Sequence, residues 1–146
     1  KIVKIDMHTH SKEGSSCASI PIMETIKILK SKGVDGMLIT DHESIAGFNA
    51  IKDGDLDGFK VFWGFEYSCV EGDVIVILPD RSFIEYKENT KLKDLAKLVH
   101  KKGGILGVAH MFRDIFSLGY ILKRFEKIEE ALTFVDFIEH ISMRNK

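Results

Sequence analysis

The residues best suited to chemistry open the chain. Asp6-Met7-His8-Thr9-His10 continues the largely apolar run Ile2-Val3-Lys4-Ile5. Side chains alternate across a strand, so His8 and His10 point to one face, and Asp6 joins them if the strand runs regularly. Two imidazoles on one rigid face suit a divalent metal, and a carboxylate one step behind can orient a ligand histidine. A strand that merely ends in polar residues would read the same way, and an H-x-H pair alone is a weak signal. The pattern recurs, however, in Thr40-Asp41-His42, in Gly64-Phe65-Glu66 and at His110. Taken singly, Asp41 could cap a short helix, Glu66 could be a surface carboxylate and His110 a satisfied core histidine. Their recurrence at the ends of apolar runs points to a site. Imidazoles mixed with carboxylates suit Zn, Mn or Fe better than Ca.

The elements that must position these residues alternate between strand and helix. Strands are expected at 2–7, Val34–Thr40, Lys60–Phe65, Asp73–Leu78, Ile105–Ala109 and Phe134–Ile138. The run Asp73-Val-Ile-Val-Ile-Leu is too uniformly apolar for one wet face. Helices are expected from Pro21 to Gly33, over 44–53, over Leu92–Lys102 and over 118–132. Pro21 suits a first helical position, having no N–H to lose. Residues 11–20 form a polar loop, and Glu71-Gly72 a tight turn. Such alternation argues an α/β fold with a largely parallel sheet. In such folds the carboxyl ends of the strands carry the site, so His8, His10, Asp41, His42, Glu66 and His110 are expected on one rim.

Composition bounds the partners. The 146 residues are expected to form one domain. The formal net charge of -1 gives a nucleic-acid grip no support beyond a local patch at Lys97, Lys101 and Lys102. No apolar run reaches the length of a transmembrane span, and no secretory signal is evident, so no membrane partner is expected. The two cysteines, Cys17 and Cys69, are far apart in sequence, and a reducing cytoplasm is the default expectation. Cys69 reads as a small buried hydrophobe. His100, near a helix C-terminus, fits a structural role, and His140 fits either.

The ordered set Asp6-Met7-His8-Thr9-His10, Thr40-Asp41-His42, Gly64-Phe65-Glu66 and Ala109-His110-Met111 resembles the motifs of the polymerase and histidinol phosphatase (PHP) family. The resemblance spans nearly the whole chain. It implies a distorted, TIM-like β/α barrel, here incomplete with about six strands. It also implies two or three divalent metals (Mn, Zn or Fe) and hydrolysis of a phosphoester, a small phosphomonoester or a nucleotide, by a metal-activated hydroxide. His8, His10, His42, Glu66 and His110 would be metal ligands, with Glu66 bridging. Asp6 and Asp41 would handle protons or support the ligands. Arg113 would meet a phosphate or simply face solvent.

The chain departs from the family pattern in three places. The loop after the first motif reads Ser15-Ser16-Cys17-Ala18 where the family usually carries Asp, so one ligand is gone unless Cys17 replaces it as thiolate. A frequent Gly-His reads Gly72-Asp73, and Asp73 can still offer oxygen to a metal. The family's closing D-x-H motif has no counterpart before Lys146, and Phe134–Glu139 resembles the segment that precedes it. The expectation is therefore a PHP-type domain truncated at its C-terminus, prone to self-association or marginal stability through unpaired sheet edges. Two other function classes stay open: a vestigial metal-binding or scaffold domain, and an amidohydrolase-like hydrolase, whose barrels also open with H-x-H. An RNA-associated role draws only on relatives.

Overall fold

Apolar runs too short for helices and bounded by glycine or polar residues form strands, and the amphipathic stretches between them form helices. The computed structural model describes residues 2–42, 44–51, 56–111 and 128–139. The expectations at Arg113 and His140, and most of the helix expected over 118–132, lie outside the described residues. The chain divides into two compact units, Lys1–Phe65 and Glu66–Lys146.

The first unit carries β1 (Ile5–Thr9), α1 (Ile22–Ser31), β2 (Gly36–Ile39), α2 (Ala46–Ile51) and β3 (Lys60–Trp63). Its three strands lie in the order β1-β2-β3, all parallel. The central strand β2 is buried along its whole length, which explains its continuous apolar run Met37-Leu38-Ile39. Gly36 lets it approach β3: an added Cβ would sit 2.5 Å from the Lys60 carbonyl oxygen. Helix α1 buries Ile22 and Ile26. Pro21 stands at its N-cap, one position earlier than expected, and has no side chain to cap with. The Glu13 carboxylate does so instead, accepting the Ile22 amide at 3.1 Å and placing negative charge at the positive end of the helix. At the other end Gly33 adopts φ +72°, its N–H reaches the Lys30 carbonyl, and the Val34 N–H reaches that of Leu29. This glycine-closed ending satisfies the last free carbonyls.

The second unit carries β4 (Phe65–Cys69, entered from the last residue of the first unit), β5 (Gly72–Ile77), α3 (Leu92–Lys101), β6 (Ile105–Val108), α4 (Ile128–Leu132) and β7 (Phe137–Ile138). Its sheet has the order β4-β5-β6-β7. β5 and β6 pair antiparallel, with Val74 opposite Val108 and Ile77 opposite Ile105, whereas β6 and β7 are parallel. Val74, Ile75, Val76, Leu106 and Val108 form its core with Leu92, Leu95, Ala96 and Val99 of α3. A distant carboxylate again starts the helix: Glu71 accepts the Leu92 amide at 2.8 Å.

The described residues thus hold seven strands in two sheets and no closed barrel, an incomplete arrangement as expected but with one strand more. The segment read as one strand, Lys60–Phe65, is two. β3 stops at Trp63, and a new strand runs from Phe65 through Cys69, so Glu66, expected at a strand end, lies inside β4. Phe65 and Tyr67 on β4 are both buried. The tight turn falls at Val70-Glu71, one residue earlier than expected. A two-residue turn can only reverse the chain, so the sheet of the second unit is mixed and not largely parallel. The last strand is shorter than Phe134–Ile138. Its approach is occupied by Asp136, whose carboxylate accepts the Leu106 amide at 3.0 Å and meets His100 Nε2 at 2.9 Å. His100, in the last turn of α3, is thus tied to Asp136. Among the described residues no helix is long and apolar enough to cross a membrane.

Candidate metal-binding clusters

In the first unit the cluster grows from the end of β1 and the end of β2. The β1–β2 register slips between Asp6 and Thr9, where Met7 and His8 stand against the single residue Leu38. Such a bulge re-aims side chains, and the regular strand that would keep Asp6 on the histidine face is interrupted. The Asp6 carboxylate instead accepts the His8 amide at 3.1 Å, within the bulge. The histidines do converge: His8 Nε2 and His10 Nε2 are 3.0 Å apart. Two ring nitrogens bound to one ion at ~2.0–2.1 Å would lie roughly 2.9–3.4 Å apart, so this pair fits a shared first-row metal. His42 stacks on His10, with ring centroids 4.7 Å apart and planes 12° from parallel.

Asp41 organises the surroundings of this trio. It is completely buried and accepts from the Ser11 amide and the Ser11 hydroxyl, both at 2.6 Å, and from the Ser15 hydroxyl at 3.1 Å. Ser15 Oγ also accepts the His42 amide at 3.0 Å and lies 3.3 Å from His10 Nδ1. The carboxylate therefore fixes the loop after β1, and that loop holds the His10 ring and the His42 backbone. Backbone approaches this hub closely. A Cβ on Gly14 or Gly47 would collide with Asp41 Oδ2, and one on Gly47 would also strike Ser11 Oγ. The short helix that Asp41 might have capped is served by Ser44, whose hydroxyl accepts the Ala46 amide. Ser11 and Ser15 were not singled out from the sequence. The signal was there: a carboxylate between two buried strand ends needs donors, and the nearby polar loop is rich in hydroxyls.

In the second unit Glu66 and His110 are both buried, with His110 Nε2 2.9 Å from Glu66 Oε1 and 3.5 Å from Asp73 Oδ2. Asp73 is held in turn by the Ser68 hydroxyl at 2.8 Å. Glu66 and Ser68 share a face of β4 by the period of two. The antiparallel β5–β6 pairing does the rest. It sets the start of β5 beside the end of β6, where the Ala109 N–H meets the Asp73 carbonyl at 3.1 Å. Only His110 follows the end of its strand as expected. Glu66 and Asp73 lie near the beginnings of β4 and β5. His110 adopts φ +31°, rare for a residue with a Cβ, and its amide is held by Glu139. Strain of this kind, of order 1–3 kcal/mol, persists where surrounding contacts fix it and tends to cluster at functional sites. The Glu66, Asp73 and His110 ligand atoms lie within 4.8 Å of one another. A buried and a half-buried carboxylate meeting an imidazole are a donor set for a divalent first-row ion.

No protein-family model and no curated protein matches the chain. Solved structures do. One is a two-domain protein from Bacteroides vulgatus containing a predicted PHP-like metal-dependent phosphoesterase, at a TM-score of 0.69 and 17% identity over 98% of this chain. The fold is PHP-like. A Bifidobacterium adolescentis protein assigned as a metal-dependent phosphoesterase superposes at a TM-score of 0.72 with 12% identity over 95% of the chain. Endonuclease Q, in complex with a 27-mer duplex bearing an abasic lesion at its active site, superposes at 0.63 with 19% identity over 92% of the chain. The chain spans 46%, 77% and 41% of those three proteins respectively. The PHP-like fold read from the motifs is thus found, at identities that speak for architecture alone.

Proposed function

We propose that the protein is a metal-dependent phosphoester hydrolase acting on a small phosphomonoester or a nucleotide. The observation that carries the reading is the Glu66–Asp73–His110 cluster, with Glu66 and His110 buried and His110 at φ +31°. It is supported by the converging His8 and His10 ring nitrogens and by phosphoesterases among the proteins of like fold. His8, His10 and His42 would bind ions in the first unit, and Glu66, Asp73 and His110 in the second. Bound divalent ions supply electrophilic assistance to phosphoryl oxygens and lower the pKa of water. The protein's part is to hold the donors. Asp41 steadies the His10 ring and the His42 backbone through Ser15, Asp6 holds the backbone of His8 in the bulge, and Glu139 holds that of His110. Glu66 and Asp73 set two carboxylates beside His110 Nε2, a mixed oxygen and nitrogen donor set that suits a divalent ion.

The test is metal content per chain by elemental analysis, on wild type and Glu66→Ala, together with phosphate release from a broad phosphoester panel. Near-stoichiometric Mn, Fe or Zn that falls in the variant, with turnover dependent on Glu66, is expected. Metal without turnover on any phosphoester would replace hydrolysis with a binding or scaffold role. Turnover of cyclic amides alone would replace it with amidohydrolase chemistry. An abasic duplex belongs in the panel because of endonuclease Q, although a net charge of -1 gives DNA no electrostatic advantage.

A further inference from the structure

We infer that His10, Cys17 and His42 form a zinc-preferring site in which Cys17 is the thiolate ligand. Each offers one ligand atom, and the three atoms lie within 4.8 Å of one another. They come from separate places in the unit: His10 just past β1, Cys17 in the following loop, and His42 just past β2. Their meeting is therefore a product of the fold and not of sequence adjacency. An ion bound at ~2.0–2.1 Å to nitrogen and ~2.3 Å to sulfur asks for donors roughly 3.3–3.7 Å apart. The 4.8 Å bound is wider than that and the two rings are stacked, so an ion would draw the three side chains together on binding.

The loop holding Cys17 is fixed on both sides of it. The Ser15 amide donates to the Ser11 carbonyl at 2.9 Å, and the Ala18 amide to the Ser15 carbonyl at 3.2 Å. The Lys12 amide donates to the Ile20 carbonyl at 3.1 Å, closing the loop. Cys17 itself is exposed, so an ion can enter and keep an open position toward solvent. A thiolate is a softer donor than a carboxylate, and with two imidazoles it selects zinc over manganese. The other cysteine does not compete. Burial, with the charges of Glu71 and Asp73 beside it, pushes the Cys69 thiol well above its ordinary range, so it stays protonated. The inference rests on the metal reading of His10 and His42 but not on hydrolysis.

Cobalt(II) added to the metal-free 146-residue chain under reducing conditions tests it. Thiolate-to-cobalt charge-transfer absorption in the near ultraviolet is expected for wild type and Cys69→Ser, and its loss for Cys17→Ser and Cys17→Asp. Zinc affinity should fall at least ~10-fold in Cys17→Ser, and Cys17→Asp should shift the preference toward manganese. Cobalt bound by wild type without charge transfer, or a band that survives in Cys17→Ser, would overturn the assignment. Phosphate release from the same samples separates the two ideas. Turnover without charge transfer sinks the thiolate site alone, charge transfer without turnover sinks hydrolysis alone, and no cobalt binding at all sinks both.

Discussion

The two clusters are built on opposite plans. In the first unit three imidazoles gather, and a buried carboxylate, Asp41, reaches the His10 ring and the His42 backbone through Ser15. In the second unit a single imidazole, His110, meets two carboxylates directly. The first plan keeps negative charge one step from a ring nitrogen, that of His10, with the Ser15 hydroxyl between. The second concentrates charge where an ion would sit. The difference teaches where each cluster is vulnerable. The first depends on a hydrogen-bond hub that touches many groups, and the second on a strand pairing that would survive loss of one support.

The largest effect should come from the hub. Asp41→Ala removes the acceptor of three hydrogen bonds and leaves buried donors behind, which should destabilise the protein by about 2–4 kcal/mol. Urea denaturation measures that, and cobalt titration should show the first unit's metal affinity lowered roughly 10–100-fold. An unchanged midpoint would break the idea of a hub. Next comes Gly47→Ala, which drives a methyl group into Asp41 and Ser11 and should cost about 1–3 kcal/mol. Gly33→Ala is its control. It meets nothing within 4 Å and pays only for φ +72°, about 1 kcal/mol. Equal losses for both would remove the case for close packing at Asp41. Ser68→Ala in the second unit takes one donor from Asp73 while His110 remains beside it, so less than about 1.5 kcal/mol is expected. A loss matching Asp41→Ala would erase the contrast between the two plans.

The smallest effect concerns pH. Burial raises the Asp136 carboxyl, but the His100 ring and the Leu106 amide more than offset it, so the group sits below the usual carboxylate range. A folded pKa below the unfolded one means that the native state binds fewer protons between the two values. The stability it contributes is present above the unfolded pKa and is lost as pH falls through the folded one. Asp136→Asn should therefore flatten the acid limb of stability against pH, and leave metal binding in either cluster unchanged. A variant with the same acid limb as wild type would show that Asp136 contributes nothing there.

Much of this was legible in the sequence because it rests on local periodicity. The H-x-H spacing put His8 and His10 together through a bulge that sequence does not reveal, since one inserted residue leaves the apolar pattern almost untouched. The helices α1 and α3 were placed by their apolar stripes and their glycine stops. What failed was strand direction. Glu66 was placed at a strand end from a largely parallel picture, yet it lies near the start of β4, and the Val70-Glu71 turn reverses the chain and brings Asp73, at the start of β5, to His110. Nothing in a run of alternating residues tells a strand end from a strand beginning. The Asp41 hub was missed for a different reason: Ser11 and Ser15 lie about thirty residues away in sequence, and burial, which makes their hydroxyls matter, is a property of the fold.

The loop between β1 and α1 is tied at several points: to Asp41 through Ser11 and Ser15, to α1 through Glu13, and to itself between Lys12 and Ile20. Its backbone entropy is thus already surrendered before any ion arrives. In small zinc domains the metal's binding energy is consumed in folding, and chelation unfolds them. Here the preorganised loop would let that energy appear as affinity. Ions could then exchange on an intact scaffold, with occupancy following the ambient metal supply.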